Sequence, residues 1–263
     1  GPALDVDAQQ FGECCLTDVE PADIERARRR QPTDRGVDRL ARALHALDHR
    51  GRAIHTLEDP VEYEFAGIRQ TEIREKIGLT FAGALRALLR QNPDILLVGE
   101  TRDAETAQLA VRAALTGHLV LSTLHTNDAL AAIPRLRDLG VESFLLASAL
   151  RLVAAQRLVR RLCDACKVAH PENARLAEQH ALPTATFFRA KGCAACRERG
   201  FRGRIAIHEV VPAEKFLPLI AAHAPLADLA ALRDRERHPT LWHRGLLAAA
   251  QGRTTLEEVA RVL

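Results

Sequence analysis

Uninterrupted apolar runs are the feature that most constrains how this chain folds. Residues 95–98 read ILLV and residues 119–121 read LVL, with no polar residue inside either run. Such runs are typical of strands buried on both faces, as in parallel sheets, whereas strands with one solvated face alternate polar and apolar residues. Residues 53–57 (AIHTL) form a third candidate strand. The strands alternate with amphipathic helical segments, which predicts an α/β core around a parallel sheet (helices at 79–89, 104–115 and 127–139).

Reactive side chains stand after each of the three candidate strands. Glu58 and Asp59 follow the first, Glu100 follows the second, and His125 follows the third. In doubly wound sheets, ligands bind beyond the carboxyl ends of the strands. A carboxylate there can position a water molecule or hydrated Mg²⁺ beside a phosphate chain, and an imidazole can hydrogen-bond a terminal phosphate. Each residue alone also fits a local role in a cap or turn, but convergence in one sheet favours a shared site.

Composition narrows the class of protein. Of the 263 residues, 47% are apolar and the formal net charge is only +3, so a globular fold is expected and no charge excess indicates a nucleic-acid or membrane partner. No apolar run approaches the roughly 18 residues that a membrane-spanning helix needs. We therefore expect a cytoplasmic protein.

Two CxxC pairs indicate a metal site. The sequences CDAC and CAAC supply four cysteines (Cys163, Cys166, Cys193 and Cys196). Two such pairs place four thiolates at the corners of a tetrahedron, which suits a closed, structural Zn²⁺ site with Zn–S bonds of ~2.3 Å. Two disulfides or four unrelated thiols are the alternative, and the adjacent Cys14 and Cys15 are expected to be ordinary thiols. Basic residues near the pairs can offset the negative charge of a zinc site (Arg160, Arg161, Arg197 and Arg199).

Four segments carry a family resemblance, and they occur in one order along the chain. The segment TLEDPVEYEFAGIRQTEI (56–73) resembles the aspartate box of the ATPases that drive type II secretion and type IV pili. The segment LRALLRQNPDILLVGETRDAETAQLAVRAALTGHLVLSTLHTNDA (85–129) resembles their atypical Walker B region followed by their histidine box. The segments AQRLVRRLCDACK (155–167) and GCAACRERGFRGRIAIHEV (192–210) are similar to the tetracysteine insertion of the secretion protein E and pilus-extension branches.

The resemblance implies a RecA-like parallel sheet core with a zinc-binding tetracysteine insertion and a helical C-terminal region. It implies aspartate-box roles for Glu58 and Glu62, the Walker B role for Glu100 and the histidine-box role for His125. ATP and Mg²⁺ are the implied cofactors beside structural zinc. The implied assembly is a homo-hexamer in the cytoplasm, associated peripherally with the inner membrane through secretion or pilus platform proteins.

The phosphate loop of this family is the part that the sequence lacks. That loop needs glycines, so that backbone N–H groups wrap the phosphates, and a Gly-Lys-Ser/Thr end for charge and Mg²⁺. The chain contains no Gly-Lys dipeptide. In one alignment the strand and loop are missing between VEPADIERARRRQPTDRG (19–36) and LARALHAL (40–47); in another, QPTDRGV is a decayed loop with Gln31, Asp34 and Val37 in place of glycine, glycine and lysine. Both alignments predict impaired nucleotide binding.

These motifs predict four regions and leave three functions open. The regions are a remnant N-terminal segment, a RecA-like ATPase core, a tetracysteine zinc-binding subdomain and a helical C-terminal region (1–38, 39–158, 159–212 and 213–263). The leading hypothesis is a secretion-ATPase family protein with impaired nucleotide binding. The alternatives are an active ATPase completed by another chain and a zinc-knuckle nucleic-acid-binding module. The knuckle region offers only three aromatic residues for base stacking, so no nucleic-acid partner is expected (Phe187, Phe188 and Phe201).

Overall fold

The structure, a computed structural model, describes residues 51–263. These residues fall into two compact units, the first made of 51–125 with Leu136–Ala149 and the second of Thr126–Arg135 with Leu150–Leu263. The predictions for the N-terminal segment 1–38, for Cys14 and Cys15, and for the phosphate-loop alternatives at 31–37 lie outside the described residues.

The first unit contains the parallel sheet that the apolar runs predict. Its strands are β1 (Ile54–Glu58), β2 (Arg69–Glu72), β3 (Ile95–Val98) and β4 (Leu119–Ser122). Their order is β2-β1-β3-β4, and every neighbouring pair is parallel. The three predicted strands therefore lie side by side in one sheet, and the α/β class is confirmed.

Two of the helices in this part of the chain begin directly after capping residues. The helices up to residue 149 are α1 (Phe81–Leu89), α2 (Ala104–Leu115), α3 (Ala132–Asp138) and α4 (Ser143–Ala149). The Thr80 side chain accepts a hydrogen bond from the Gly83 N–H, and Asp103 accepts one from the Thr106 N–H, so both helices have the side-chain cap that their first N–H groups need. Apolar residues of α1 and α2 pack on one face of the sheet (Leu57, Phe81, Leu85, Leu96, Val98 and Ala110).

Strand β4 is less buried than the sequence predicts. We expected residues 119–121 to be buried on both faces, but Leu119 is 41% exposed and the other three residues of the strand are at least partly accessible. Within residues 51–263, β4 pairs only with β3 and lies at the edge of the sheet. An edge strand loses the shielding that a second neighbour provides, and this accounts for the exposure.

The helix predicted from Asn127 to Leu139 is shorter than expected. Helix α3 begins only at Ala132. Asp128, rather than Asn127, accepts a hydrogen bond from a downstream N–H, that of Ala131 at 2.8 Å. The guanidinium of Arg157 also donates to the carbonyls of Thr126 and Asn127, at 3.1 and 2.8 Å. Those carbonyls are engaged by a side chain, so the first residues of the segment remain outside the helix.

The second unit is built on a long antiparallel ribbon. Its strands are β5 (Leu152–Leu162), β6 (Lys167–Ala169), β7 (Phe188–Ala190) and β8 (Phe201–Pro212), with β5 paired to β8 and β6 to β7. Its helices are α5 (Asn173–Gln179), α6 (Leu217–Ala221), α7 (Leu226–Arg235), α8 (Leu241–Ala250) and α9 (Leu256–Val262). The predicted strand at RIAIHEVV is part of β8, and the final helix has the predicted cap at Thr255. We did not predict β5.

A separate apolar core holds the helices of the second unit together. Buried residues from α5, α8 and α9 meet around one aromatic ring (Leu176, Phe187, Leu246, Ala249 and Val259). Gly245 in α8 lies so close to α9 that a Cβ there would be 2.5 Å from a methyl carbon of Val259. None of the helices in residues 51–263 is long and apolar enough to cross a membrane.

Candidate functional site at the carboxyl edge of the sheet

The pairing register brings the ends of β1 and β3 together. Leu57 pairs with Val98, and the Gly99 N–H donates to the Leu57 carbonyl at 2.8 Å. A Cβ on Gly99 would lie 2.9 Å from that carbonyl oxygen and 3.4 Å from the Glu58 Cα, so the close approach requires glycine. Glu100 therefore leaves the sheet beside the strand end that carries Glu58.

Hydrogen bonds hold the segments after β3 and β4 side by side. The Thr101 N–H donates to the Thr123 carbonyl at 3.0 Å, and the Thr123 hydroxyl donates to the Gly99 carbonyl at 2.5 Å. The hydroxyls of Thr101 and Ser122 are 2.7 Å apart. These contacts extend the β3–β4 pairing beyond the ends of the strands. They hold the two segments that carry Glu100 and His125 next to each other.

Glu100 and His125 are in direct contact. The His125 Nε2 is 3.3 Å from the Glu100 Oε2, and the Arg102 Nε is 2.7 Å from the same oxygen. The Glu100 side chain is 14% exposed, whereas those of His125 and Arg102 are 80% and 66% exposed. The carboxylate is thus the buried member of the group, and the side chains of Arg102 and His125 reach it from solvent. Sequence reasoning missed Arg102, although its position two residues after Glu100 was a signal.

Glu58 is buried and held by polar neighbours. Its carboxylate is 5% exposed, and its Oε1 accepts hydrogen bonds from the Thr56 hydroxyl at 2.5 Å and from the Gln70 Nε2 at 2.9 Å. Glu62 lies in the loop between β1 and β2, and its side chain is half-buried. The sequence singled out neither Thr56 nor Gln70, because their contact with Glu58 depends on the pairing of β1 with β2.

The described side chains at this edge of the sheet include two carboxylates. Glu58 and Glu100 supply negative charge, and the guanidinium of Arg102 is engaged with Glu100. A carboxylate about 4 Å from a phosphate oxygen repels it by roughly 4 kcal/mol near a protein surface. A glycine-rich loop with a lysine offsets such repulsion, and the chain has no Gly-Lys dipeptide.

The four cysteines of the CxxC pairs converge in the second unit. Their sulfur atoms all lie within 4.8 Å of one another. Individual separations are 4.0 Å between Cys163 and Cys193, 3.8 Å between Cys166 and Cys196, and 3.8 Å between Cys193 and Cys196. Four sulfurs at ~2.3 Å from a tetrahedral zinc ion lie ~3.8 Å apart, so the cluster fits Zn²⁺. All four cysteines are free thiols, and the disulfide alternative does not describe this arrangement.

Backbone N–H groups favour a thiolate at Cys196. The N–H groups of Cys193 and Gly200 both lie 3.2 Å from its sulfur. Burial acts to raise the pKa of this thiol, but the two N–H groups, together with hydrogen bonds from the thiols of Cys193 and Cys166, lower the pKa to about 7. A Cβ on Gly200 would lie 2.5 Å from the Ala190 Cβ, so glycine is needed where the backbone passes this close to β7.

Two of the arginines expected to balance the thiolates have other partners. Arg160 is 2.6 Å from the Glu258 carboxylate, and Arg161 is 2.6 Å from the Asp164 carboxylate. Arg197 and Arg199 lie in the second knuckle and are exposed. The knuckles are therefore surrounded by a mixed network of ion pairs rather than by four free cations.

Comparison with known proteins identifies the family. The sequence profile described as "Type II/IV secretion system protein" matches residues 38–261. The chain is 49% identical to the "Type II secretion system protein E" of Klebsiella pneumoniae over 225 residues, which cover 85% of this chain and 45% of that protein. It is 46% identical to the "Type IV pilus assembly ATPase PilB" of Myxococcus xanthus over 236 residues, which cover 87% of this chain and 42% of that protein. The chain thus spans less than half the length of these relatives.

The fold agrees with this assignment. The crystal structure of the pilus retraction motor PilT with bound ADP superposes with a TM-score of 0.63 at 27% sequence identity, covering 85% of this chain and 56% of that one. The parallel sheet of the first unit and the order of the motifs along the chain are consistent with such a motor domain. The profile match, the relatives and the fold together place the chain in the type II/IV secretion system protein family.

Proposed function

We propose that this chain is a secretion-motor protein, related to the ATPases that power type II secretion or type IV pilus assembly, in which nucleotide binding is impaired. The observation that carries the proposal is the contact between Glu100 and His125 at the carboxyl edge of a parallel sheet, in a chain without a Gly-Lys phosphate loop. The chain keeps the acid and the imidazole of the site, and it lacks the lysine that a phosphate loop supplies. Such a chain serves an assembly through its fold and surfaces rather than through turnover.

The roles of the acidic and histidine residues follow from their positions. Glu58 and Glu62 take the aspartate-box roles, Glu100 takes the Walker B role and His125 takes the histidine-box role. Their arrangement at the strand ends supports this assignment, because Glu58 and Glu100 leave adjacent strands and His125 contacts Glu100. Without a cradle of N–H groups and a lysine, these acids repel a triphosphate.

Structural zinc belongs to the same proposal. Cys163 and Cys166 follow β5, and Cys193 and Cys196 precede β8, so one ion would join the two strands of the ribbon at their far ends. The separations between the sulfurs and the N–H groups that face Cys196 support this role. A closed four-sulfur site leaves no position for a substrate, so the zinc stabilises the fold and takes no part in chemistry.

The remaining features of the proposal rest on the family. A homo-hexamer in the cytoplasm, held at the inner membrane by secretion or pilus platform proteins, is the assembly in which such a chain would act. The second candidate is an active ATPase completed by another chain, and the ordered contact between Glu100 and His125 is the observation in its favour. A nucleic-acid module is disfavoured, because Phe187 is buried and cations cover a ring face of Phe201 and of Phe188.

ATP affinity and turnover of the chain test the proposal. We expect isothermal titration to detect weak binding or none, and phosphate release to equal the background rate, for the wild type and for the Glu100→Gln control alike. Turnover that disappears in Glu100→Gln would show that the site is active and would overturn the proposal. Turnover that appears only when a second family member is added would support the completed-ATPase candidate instead. Filter binding with a salt titration tests the nucleic-acid alternative.

A further inference from the structure

The strand end at Glu58 is held by Gln70, a residue of the segment 56–73 to which no role is assigned above. Gln70 lies in β2 and pairs with Thr56 in β1, while Glu58 pairs with Glu72. Side chains two residues apart on a strand point to the same face of the sheet. The register therefore places the side chains of Thr56, Glu58 and Gln70 together on one face.

The carboxamide of Gln70 joins three separate pieces of the chain. Its Nε2 donates to the Glu58 Oε1 at 2.9 Å and to the Tyr63 carbonyl at 2.8 Å, and its Oε1 accepts from the Phe65 N–H at 2.7 Å. The orientation of the amide follows from these partners, because a flipped amide would set its oxygen against two acceptors. One side chain thus ties β2 to the end of β1 and to the loop at 59–68, which carries Glu62.

The contacts also determine which oxygen of Glu58 faces a ligand. Within residues 51–263, the Thr56 hydroxyl and the Gln70 Nε2 both donate to Oε1. The carboxylate is buried, so water competes little for these hydrogen bonds. Oε1 is therefore engaged, and Oε2 is the oxygen that can accept from a ligand. This arrangement suits an acid that holds one water molecule, and it does not suit a bidentate metal ligand.

We propose that Gln70 is the positioning residue of the aspartate box. It orients the Glu58 carboxylate and fixes the loop that bears Glu62, and it does so without nucleotide. The inference rests on the proposed function, which assigns Glu58 and Glu62 to this box. It gives a physical reason why these acids stay ordered in a chain without a phosphate loop. The order of the acids depends on the pairing of β1 with β2 rather than on a bound phosphate.

Two NMR readouts on the nucleotide-free full chain test this role. The first is the ¹³Cδ resonance of Glu58 at neutral pH, assigned by its loss in Glu58→Gln. The second is the hydrogen-exchange rate of the Phe65 amide. Gln70→Leu removes every hydrogen bond of the carboxamide, so we expect the Glu58 resonance to move and the Phe65 amide to exchange about fivefold faster. Thr56→Val removes only the other donor to Glu58, so the resonance should move while the Phe65 exchange rate stays within about twofold.

The control is Gln91→Leu, at an exposed glutamine outside the sheet, which should change neither readout. A Glu58 resonance and a Phe65 exchange rate that match wild type in Gln70→Leu would overturn the proposal. If the leucine variant does not fold, Gln70→Glu tests the contact with Glu58 alone, because it loses both donors but keeps an acceptor for the Phe65 N–H; the Glu58 resonance should then move, and a resonance that matches wild type would overturn the proposal. A purely structural role for Gln70 predicts faster exchange throughout the first unit with no selective movement of the Glu58 resonance. Because no readout involves ATP, the outcome is separate from that of the turnover assay.

Discussion

Replacing Glu258 with glutamine should destabilise the second unit, because four hydrogen bonds converge on this buried carboxylate. Arg160 donates to it from its backbone N–H at 3.0 Å and from its Nη2 at 2.6 Å. Arg261 donates from its Nε at 2.8 Å and from its Nη2 at 2.7 Å. The Glu258 side chain is only 1% exposed. A glutamine would place an NH₂ group against two guanidinium donors and would leave buried polar groups without acceptors.

The size of the expected loss in the free energy of unfolding follows from the pKa of this carboxyl. Hydrogen bonds from Arg261 lower the pKa of Glu258 from 4.5 to about 2; burial opposes the change, and Arg160 adds to it. A pKa difference of this size corresponds to roughly 3 kcal/mol of stability at neutral pH. The side chains of Arg160 and Arg261 are 49% and 60% exposed, so solvent screening reduces the gain. We therefore expect Glu258→Gln to lower the free energy of unfolding by about 2 kcal/mol.

Urea unfolding followed by tryptophan fluorescence measures this loss. Trp242 is the single tryptophan of the chain and lies in α8, within the same unit as Glu258. Glu257→Gln is the matched control, because Glu257 occupies the same helical turn and its side chain is 65% exposed. We expect the control to change the free energy of unfolding by less than about 0.5 kcal/mol.

The pH dependence of this stability difference is the most specific test of the ion pairs at Glu258. Because the pKa is lowered in the folded state, the stabilisation is present above about pH 4.5 and is lost as the pH falls toward 2. The difference between wild type and Glu258→Gln should therefore be constant from neutral pH to about pH 5.5 and then close. A chelator and a reductant keep metal loss out of the comparison. A difference that persists undiminished to pH 3, or a variant as stable as Glu257→Gln, would refute the argument.

Two further predictions concern the knuckles and the sheet. Protein purified under reducing conditions should carry close to one Zn²⁺ per chain. The variant Cys163→Ser should lower that content and destabilise residues 160–210. Metal analysis that finds no zinc, with no loss of stability on chelation, would contradict the zinc assignment. Gly99→Ala places a Cβ 2.9 Å from the Leu57 carbonyl oxygen and should cost about 1–3 kcal/mol in a thermal melt. Gly83→Ala, at an exposed helical position where the new Cβ would lie 3.3 Å from the Thr80 hydroxyl, should cost less than Gly99→Ala.

The elements that local pattern specifies were predictable from the sequence. Strand β3 is a pure apolar run, and α2 begins after a capping aspartate and spans the predicted residues 104–115. The contact between Glu100 and His125 follows from two parallel strands that end at the same level, which is also a pattern visible in the sequence. In these cases each local signal agrees with the tertiary environment in which the segment is placed.

The elements that depend on distant partners were not predictable. Strand β5 reads LVAAQRLVRRL, in which alanines and arginines interrupt the apolar pattern, and its strand conformation comes from pairing with β8 some fifty residues later in the sequence. The late start of α3 has the same origin, because Arg157 of β5 donates hydrogen bonds to the carbonyls of Thr126 and Asn127. Gln70 belongs here as well, since its three partners are brought to it by the β1–β2 pairing and by the path of the loop between these strands.

Contacts between distant parts of the chain also explain how Glu58 and Glu100 stay ordered in a chain without a phosphate loop. A loop that binds phosphate contributes charge and N–H donors, but the contacts that place Glu58 and Glu100 are made by the sheet itself. Gly99 lets β3 approach β1, Gln70 and Thr56 hold Glu58, and Arg102 and His125 pair with Glu100. All of these contacts join groups of the protein itself. Under the proposed function, loss of the loop removes affinity for nucleotide without removing the order of the acids, so an ordered acidic edge is not by itself evidence of turnover.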